Sequence, residues 1–384
     1  MLTNSLMTLS YLIWNGSPEI FSIDALSFSL RWYGLLFALG FLISQQILYY
    51  MFKKEGKPEK DVETLTIYMI ITTIISARLG HIIFYQPEMI WQDPLGIFLP
   101  FQFSPTFRFT GLQGLASHGA AFGILFALWL YSRKKKPGQN YMQTLDRIVI
   151  LVALTGALIR MGNFFNSEII GKPTDSPMGV VFINRVSEAI MDKDSKNNPV
   201  ESISIIKDKD LPEGPNGRVP ILIYLFFKPN TSIEQVKGYL NSTVKNYLSH
   251  SAFSEFVQQS PMDALKYHTV EEKPGVYVAK ISTIGIARHP AQLYESISCV
   301  ALFAFLFWYW SRYKEKLPEG RIFGLFMIIL WSLRFAYEFL KEPQEAFETT
   351  LPLFMGQILS IPLVIVGIIV LMRSYREPTT QLPS

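Results

Sequence analysis

The chain has 384 residues; apolar residues make up 49% of it, charged residues make up 17%, and its mean hydropathy is +0.23. These values exclude an ordinary soluble protein of this size, so the composition indicates an integral membrane protein. The net charge of +4 is unremarkable as a total, and only its distribution along the chain is informative.

Seven segments are candidates for transmembrane helices, because a helix needs ~20 mostly apolar residues to cross a ~30 Å hydrocarbon layer. In chain order they cover residues 30–52, 62–86, 116–132, 145–166, 292–310, 321–341 and 351–372. The third is shorter than the others. We predict an all-α polytopic membrane protein, with helices one to four in residues 1–183 and helices five to seven in residues 288–384.

The basic residues predict the orientation, since Lys and Arg near the ends of spans stay on the cytoplasmic side. They are concentrated in alternate loops and at the end of the chain: Lys53, Lys54, Lys57 and Lys60; Arg133, Lys134, Lys135, Lys136 and Arg147; Arg312, Lys314, Lys316 and Arg321; Arg373 and Arg376. The N-terminus is therefore expected outside and the C-terminus inside. The run 133–136 could also contact nucleic acid, but the topology favours a juxtamembrane anchor, so no nucleic-acid partner is expected.

The segment between the fourth and fifth spans, residues 184–287, has a different pattern. Residues 218–228 are typical of a strand, residues 232–251 of an amphipathic helix that opens at Ser232, and residues 267–282 of a hairpin that turns at Pro274–Gly275. About 100 residues with strands of their own are more typical of a small domain than of a loop. We predict an extracytoplasmic α+β domain inserted between helices four and five.

Ionisable residues inside spans cost ~2.5–3.5 kcal/mol each at mid-bilayer, so each needs a structural or functional reason. In chain order they are Arg78, His81, His118, Arg160, Glu295, Arg334 and Glu338. In the predicted orientation all of them lie in the outer parts of their spans, and Tyr33 lies at the outer start of the first span. This pattern predicts a pocket open to one side, and arginines at headgroup depth suit an anionic phosphate ligand.

Three classes of function are candidates for this chain. They are an enzyme that acts on a phospholipid, a transporter or flippase for a lipid or a phosphate compound, and an anchor for a functional outer domain. A transporter needs polar groups that reach both sides of the membrane, and the inner halves of these spans carry almost none. A simple anchor has no use for intramembrane arginines. The single cysteine, Cys299, excludes an intrachain disulfide and a metal-binding cluster of cysteines.

Six short segments carry the polar residues of the predicted pocket. They are RWYG (31–34), ARLGHIIFY (77–85), ASHGAAFG (116–123), RMGNFFNSEIIGKPTD (160–175), RHPAQLYES (288–296) and LRFAYEFLKEP (333–343). Together they closely resemble the bacterial prolipoprotein diacylglyceryl transferase family. The resemblance implies an enzyme of the bacterial cytoplasmic (inner) membrane that works without a cofactor or a metal and whose active site faces the outer leaflet.

The same resemblance implies the reaction and its partners. The diacylglyceryl group of phosphatidylglycerol is transferred to the thiol of a lipobox cysteine in a secreted precursor, and the protein partners are prolipoprotein signal peptides with such a cysteine; a thioether forms and glycerol phosphate is released. Arg160 matches the residue that binds the lipid headgroup. Two motifs depart from the family pattern: in residues 116–123 and just after them, Ala120 and Ile124 replace expected glycines, and in residues 333–343 Lys341 replaces the usual arginine, so a bidentate contact becomes a point charge.

The expected site has three groups of residues. The catalytic group is His118, Arg160 and Arg334. The substrate-binding group is Arg160, Tyr33, Gly119, Asn163, Asn166, Gly171 and Glu338. The supporting network is Arg78, His289, Gln292, Tyr294 and Glu295.

Several of these roles have alternatives. His118 is the candidate base, since an imidazole with a pKa of ~6.5 can accept the proton of a thiol with a pKa of ~8.5, but it could instead cap the third span. Arg334 could bind the phosphodiester or pair with Glu338, four residues later on the same helix. Arg78 could be catalytic or could pair with a glutamate. The asparagines could position the ligand or bond to neighbouring helices.

Overall fold

The protein is described by a computed structural model that covers residues 11–23, 28–97, 99, 101–102, 108–109, 116–191, 197–342 and 351–376. A helix occupies each of the seven predicted spans. These helices are α1 (Trp32–Lys54), α2 (Glu59–Tyr85), α4 (Ser117–Ser132), α5 (Tyr141–Phe165), α9 (Ala291–Tyr313), α10 (Arg321–Glu338) and α11 (Met355–Arg376). The prediction of helices at these positions is therefore confirmed.

Five helices among the described residues are long and apolar enough to cross a membrane: α1, α2, α5, α9 with its extension to Lys316, and α11. The other two differ in length or charge. The α4 helix has 16 residues, and α10 has 18 residues that include Arg321, Arg334 and Glu338. The protein is thus a helical, polytopic membrane protein; a crossing by all seven helices stays a prediction.

Shorter helices lie outside these spans. They are α3 (Met89–Gln92), α6 (Asn184–Met191), α7 (Ile233–Tyr239) and α8 (Lys245–Ser249), with a π-helical turn at Leu240–Val244 and 3₁₀ turns at Ser251–Phe253 and Lys314–Lys316. The predicted start of the helix at Ser232 is confirmed, since the Ser232 side chain accepts a hydrogen bond from the backbone N–H of Gln235 and the Gln235 side chain accepts one from the Ser232 N–H. This reciprocal pair is a capping box, which satisfies two backbone donors at the helix start.

Eleven strands are described, most of them between α5 and α9. They are β1 (Leu12–Trp14), β2 (Glu19–Ile23), β3 (Phe28–Arg31), β4 (Phe101–Gln102), β5 (Arg108–Phe109), β6 (Val180–Phe182), β7 (Val200–Lys207), β8 (Arg218–Phe227), β9 (Val257–Gln258), β10 (Lys266–Lys273) and β11 (Val276–Arg288). The predicted strand at 218–228 and the predicted hairpin across Pro274–Gly275 are both confirmed, as β8 and as the antiparallel pair β10–β11.

The main sheet has the strand order β1-β6-β11-β8-β7, and β9 and β10 also pair with β11. The long strand β11 is the central element, because it pairs with β8 along one edge and leads directly to α9 at its end. The parallel pairing of β1 with β6 brings residues before α1 into the sheet, which the sequence pattern does not predict.

Two compact units make up the chain. The first contains Met1–Leu39, Ala157–Ser298 and Leu333–Ile358, and the second contains Gly40–Gly156, Cys299–Ser332 and Leu359–Ser384. The first unit has a core formed by the sheet and its helices together with Phe164 of α5. The second has a core of apolar residues from the long helices, including Phe52, Tyr131 and Trp310. Five helices (α1, α5, α9, α10 and α11) contribute residues to both units.

Candidate active site

Arg160 and Glu295 form a close ion pair in the first unit. Arg160 lies near the end of α5 and Glu295 near the start of α9, and Arg160 Nε lies 2.6 Å from Glu295 Oε2. The glutamate is buried, whereas the arginine side chain is 22% exposed. Arg160 Nη1 donates a 3.4 Å hydrogen bond to Asn163 Oδ1. Glu295 thus holds one edge of the guanidinium, and part of the group remains accessible to a ligand.

Lys341 connects this ion pair to a second one. Its Nζ atom lies 2.5 Å from Glu295 Oε1 and 3.7 Å from Glu338 Oε1, and Glu338 Oε1 lies 3.8 Å from Arg334 Nη2. Lys341 itself is only 2% exposed. Three cations and two carboxylates therefore alternate in one network, which carries one net positive charge. We call these five residues the ion-pair network; its charge favours an anionic ligand.

The chain leaves α5 through a short loop that carries Glu168. The Glu168 carboxylate accepts hydrogen bonds from Asn163 Nδ2 at 3.2 Å and from Asn166 Nδ2 at 3.3 Å. Its backbone carbonyl accepts a 2.5 Å hydrogen bond from Gln292 Nε2 of α9. Glu168 therefore orients both asparagines, and Asn163 in turn contacts Arg160.

Two amide oxygens beside this loop are buried without a hydrogen-bond partner in the described part of the chain: Asn166 Oδ1 and Gln292 Oε1. Buried polar atoms are normally hydrogen-bonded, so an orphaned acceptor calls for an explanation. An amide oxygen accepts hydrogen bonds from hydroxyl groups. These two atoms are therefore candidate acceptors for the hydroxyl groups of a ligand.

Two glycines allow chain segments of this unit to approach closely. A Cβ atom on Gly162 would lie 2.8 Å from Tyr33 Cδ2 and 3.0 Å from Tyr33 Cα, so Tyr33 packs directly on α5. A Cβ atom on Gly171 would lie 2.7 Å from His289 Cβ and 2.8 Å from the carbonyl oxygens of His289 and Leu340. Because backbone atoms cannot move aside cheaply, residue 171 has to be glycine for this junction to form.

His289 lies just before α9, and its Nδ1 atom is 3.4 Å from the hydroxyl oxygen of Tyr294. Burial lowers the pKa of His289 below its ordinary value of 6.5, because a charged imidazole is poorly solvated there. The residue is therefore neutral at pH 7.

Comparison with known proteins identifies the family. The sequence model of the family described as prolipoprotein diacylglyceryl transferase matches residues 18–373, which is nearly the whole chain. The chain belongs to the prolipoprotein diacylglyceryl transferase family. It is therefore a transferase, of a family whose proteins act in lipoprotein biosynthesis.

Individual relatives from several bacteria match over nearly their full length. A Bacteroides fragilis protein is 31% identical over 357 residues, which cover 92% of each chain. A Chloroherpeton thalassium protein is 31% identical over 373 residues, covering 96% of this chain and 97% of its own. A Tolumonas auensis protein is 29% identical over 366 residues, covering 95% and 98%. All three are named phosphatidylglycerol–prolipoprotein diacylglyceryl transferase.

Most of the site residues predicted for a transferase of this family belong to the first unit. These are Tyr33, Arg160, Asn163, Asn166, Gly171, His289, Gln292, Tyr294, Glu295, Arg334 and Glu338. The ion-pair network and the loop that carries Glu168 bring most of them into contact with one another. Their roles in substrate binding and catalysis stay predictions.

The remaining predicted residues belong to the second unit. Arg78 donates hydrogen bonds from Nε to the carbonyl of Ile97 at 3.0 Å and from Nη2 to the carbonyl of Gly96 at 3.2 Å, so it holds the loop after α3. A Cβ atom on Gly119 would lie 2.3 Å from the carbonyl oxygen of Ser76, so this glycine lets α4 pack against α2. The side chain of His118 lies outside the described residues, although its backbone is part of α4.

Glu168 and Lys341 belong to the site but are not among the site residues that the sequence predicts. Glu168 follows the end of the fourth predicted span, so the argument from the cost of intramembrane charge does not reach it. Lys341 is noticed only as a departure from the family pattern, at the end of the sixth predicted span. A better signal for Glu168 is its position two residues after Asn166 in the segment RMGNFFNSEIIGKPTD.

Proposed function

We propose that this protein transfers the diacylglyceryl group of phosphatidylglycerol to the thiol of the lipobox cysteine of a prolipoprotein. A carbon–sulfur bond forms at the glycerol carbon, the bond from that carbon to the phosphate oxygen breaks, and glycerol phosphate leaves. The thiol proton passes to a base. The observation that supports this most directly is the ion-pair network with its net positive charge, in a chain that matches the transferase family over residues 18–373.

In this proposal Arg160 and Arg334 bind the phosphodiester and stabilise the negative charge that develops on the leaving phosphate. Glu295 and Glu338 orient these arginines, through ion pairs of 2.6 and 3.8 Å respectively. The orphaned amide oxygens of Asn166 and Gln292 accept hydrogen bonds from the hydroxyl groups of the glycerol headgroup. His118 is the proposed base, since an imidazole can accept the proton of a thiol.

We further propose the membrane orientation. All seven helices of the predicted spans cross the bacterial inner membrane, the N-terminus lies outside and the C-terminus inside, and residues 184–287 form an extracytoplasmic α+β domain. The basic residues at the ends of α1 (Lys53 and Lys54) and α11 (Arg373 and Arg376) support this orientation, since such residues stay in the cytoplasm. The Arg160 end of α5 then faces the outer leaflet.

The test uses the purified full-length protein in detergent micelles with phosphatidylglycerol and a lipobox peptide. Mass spectrometry should show a peptide heavier by one diacylglyceryl group, with the thiol blocked, and glycerol phosphate in equal amount. Arg160→Ala should lower the rate at least about 100-fold, the size seen when a group that stabilises transition-state charge is removed. Arg312→Ala, at the far end of α9, is the matched control and should keep the wild-type rate. A folded wild-type protein that leaves the peptide unmodified would refute the proposal.

A further inference from the structure

The α5 helix ends in a loop whose backbone is strained at two residues. Ser167 has a φ of 50° and Ile169 a φ of 56°, and neither is glycine. The left-handed region costs an ordinary residue roughly 1–2 kcal/mol, and it is especially unfavourable for a β-branched residue such as isoleucine. Strained backbone of this kind persists only where neighbouring groups hold it in place.

The local hydrogen bonds identify the loop as a Schellman motif. The N–H of Glu168 donates to the carbonyl of Asn163 at 3.0 Å, and the N–H of Ser167 donates to the carbonyl of Phe164 at 3.0 Å. Ser167 therefore occupies the position that glycine usually takes at a helix end. This motif does not use the last two carbonyls of the helix end, those of Phe165 and Asn166, which need other donors.

Two residues at the start of α6 supply these donors. Asn184 Nδ2 donates to the carbonyl of Phe165 at 3.0 Å, and Asn184 Oδ1 accepts a 2.5 Å hydrogen bond from Ser167 Oγ. Arg185 Nε donates to the carbonyl of Asn166 at 3.1 Å. Asn184 is 2% exposed, so its bond with Ser167 is buried and its bond to Phe165 is partly buried, whereas the bond from Arg185 is exposed. The first two residues of α6 thus cap the end of α5 and fix the left-handed Ser167.

The conformation of this loop determines where the Glu168 carboxylate points. Arg185 Nη2 also lies 3.6 Å from Glu168 Oε1. Through Glu168 the loop orients Asn163, which accepts the hydrogen bond from Arg160. A continuous set of contacts therefore leads from α6 to the guanidinium proposed to bind the phosphodiester.

We propose that Asn184 and Arg185 are positioning residues of the transferase site, which act through the loop of residues 166–169. This inference rests on the proposed function, since it assigns a role in the same reaction. It also gives the start of the segment 184–287 a part in catalysis, although neither residue is proposed to touch the substrate.

The test compares three variants of the full-length protein. Asn184→Ala should lower kcat roughly tenfold, which equals a rise of about 1.4 kcal/mol in the activation free energy, because the loop that orients Glu168 loses two hydrogen bonds; the KM for the lipobox peptide should be unchanged. Adding Ser167→Gly should restore most of kcat, because glycine adopts the left-handed conformation without strain. Ser187→Ala is the matched control: it removes hydrogen bonds to Asn15 at 2.5 Å and to the carbonyl of Ile183 at 3.2 Å from the same helix but none to the loop, and it should keep the wild-type kcat.

Hydrogen exchange of the amides of residues 166–170 provides a readout that does not depend on activity. Exchange should be faster in Asn184→Ala and return toward the wild-type rate in the double variant. The proposal is overturned if Asn184→Ala matches Ser187→Ala in both kcat and exchange, or if Ser167→Gly rescues neither. If the wild-type protein fails to modify the peptide, the proposed function fails, while the exchange rates still decide whether α6 holds the loop.

Discussion

At the scale of single residues, the network shows which contacts a sequence can predict. The pairing of Arg334 with Glu338 was one of two predicted alternatives because the residues are four apart on one helix, and the structure contains it. The pairs of Glu295 with Arg160 and Lys341 join residues far apart in the chain. No periodicity encodes such a contact, since it depends on how three helix ends pack.

His289 gives a prediction for pH dependence. Its pKa is lowered by burial, so the unfolded chain binds a proton at a higher pH than the folded chain does. The free energy of unfolding therefore keeps its full value above the ordinary histidine pKa of ~6.5. It decreases as the pH falls below that value, because the unfolded chain then gains a proton that the folded chain does not bind. We expect the melting temperature of the wild-type protein in detergent to fall between pH 7.5 and 5.5 by more than that of His289→Gln.

Glutamine is the appropriate replacement because it is neutral at every pH and its amide can still bond to the hydroxyl of Tyr294. Carboxylates elsewhere lower the melting temperature at acidic pH in both proteins. The difference between the two curves of melting temperature against pH therefore gives the contribution of His289 alone. Parallel curves for the two proteins across this pH range would rule out the depressed pKa.

At the scale of elements, local signals were sufficient wherever a few neighbouring residues decide the structure. The capping box at Ser232, the strand β8 and the turn at Pro274–Gly275 depend on local chemistry, and each is present. The parallel pairing of β1 with β6 was not predictable, because it joins Leu12–Trp14 to a strand beyond α5. The left-handed Ser167 and Ile169 also carry no sequence signal, since residues other than glycine rarely adopt that conformation.

The ends of α1, α5 and α9 in the second unit are joined by a buried carboxylate. Glu55 accepts hydrogen bonds from Arg147 Nη2 at 2.9 Å, from Lys57 Nζ at 2.6 Å and from Trp310 Nε1 at 2.6 Å. The carboxylate is fully buried, and both cations are nearly so. Burial raises the pKa of Glu55, but Arg147 and Lys57 outweigh this effect, so that the net shift is downward. The glutamate is therefore charged at neutral pH.

We expect Glu55→Gln to destabilise the protein by about 3–5 kcal/mol, because two buried cations lose the carboxylate that compensates them. Thermal unfolding in detergent measures this loss. Glu63→Gln, which changes an exposed glutamate of α2, is the control and should alter stability by less than about 0.5 kcal/mol. Equal melting temperatures for the two variants would show that the buried cluster contributes nothing to stability.

At the scale of the whole molecule, hydropathy predicted the positions of the seven helices that occupy the predicted spans, and family motifs predicted the transferase. Both signals are strong for physical reasons: a span must be apolar along its length, and residues in a reactive site have few substitutes. The division into 1–183, 184–287 and 288–384 stays a prediction. Each of the two compact units combines three segments that are separated in the chain, and the boundaries between the units fall inside five helices.

The central claim is that the ion-pair network holds the phosphodiester of the lipid. A structure of the full-length protein in a lipid nanodisc containing phosphatidylglycerol tests it most directly. We predict a headgroup phosphate with its oxygens about 2.7–2.9 Å from guanidinium nitrogens of Arg160 or Arg334, the usual length of a charge-assisted hydrogen bond. A headgroup bound elsewhere on the protein, with both guanidinium groups lacking a phosphate, would contradict the account.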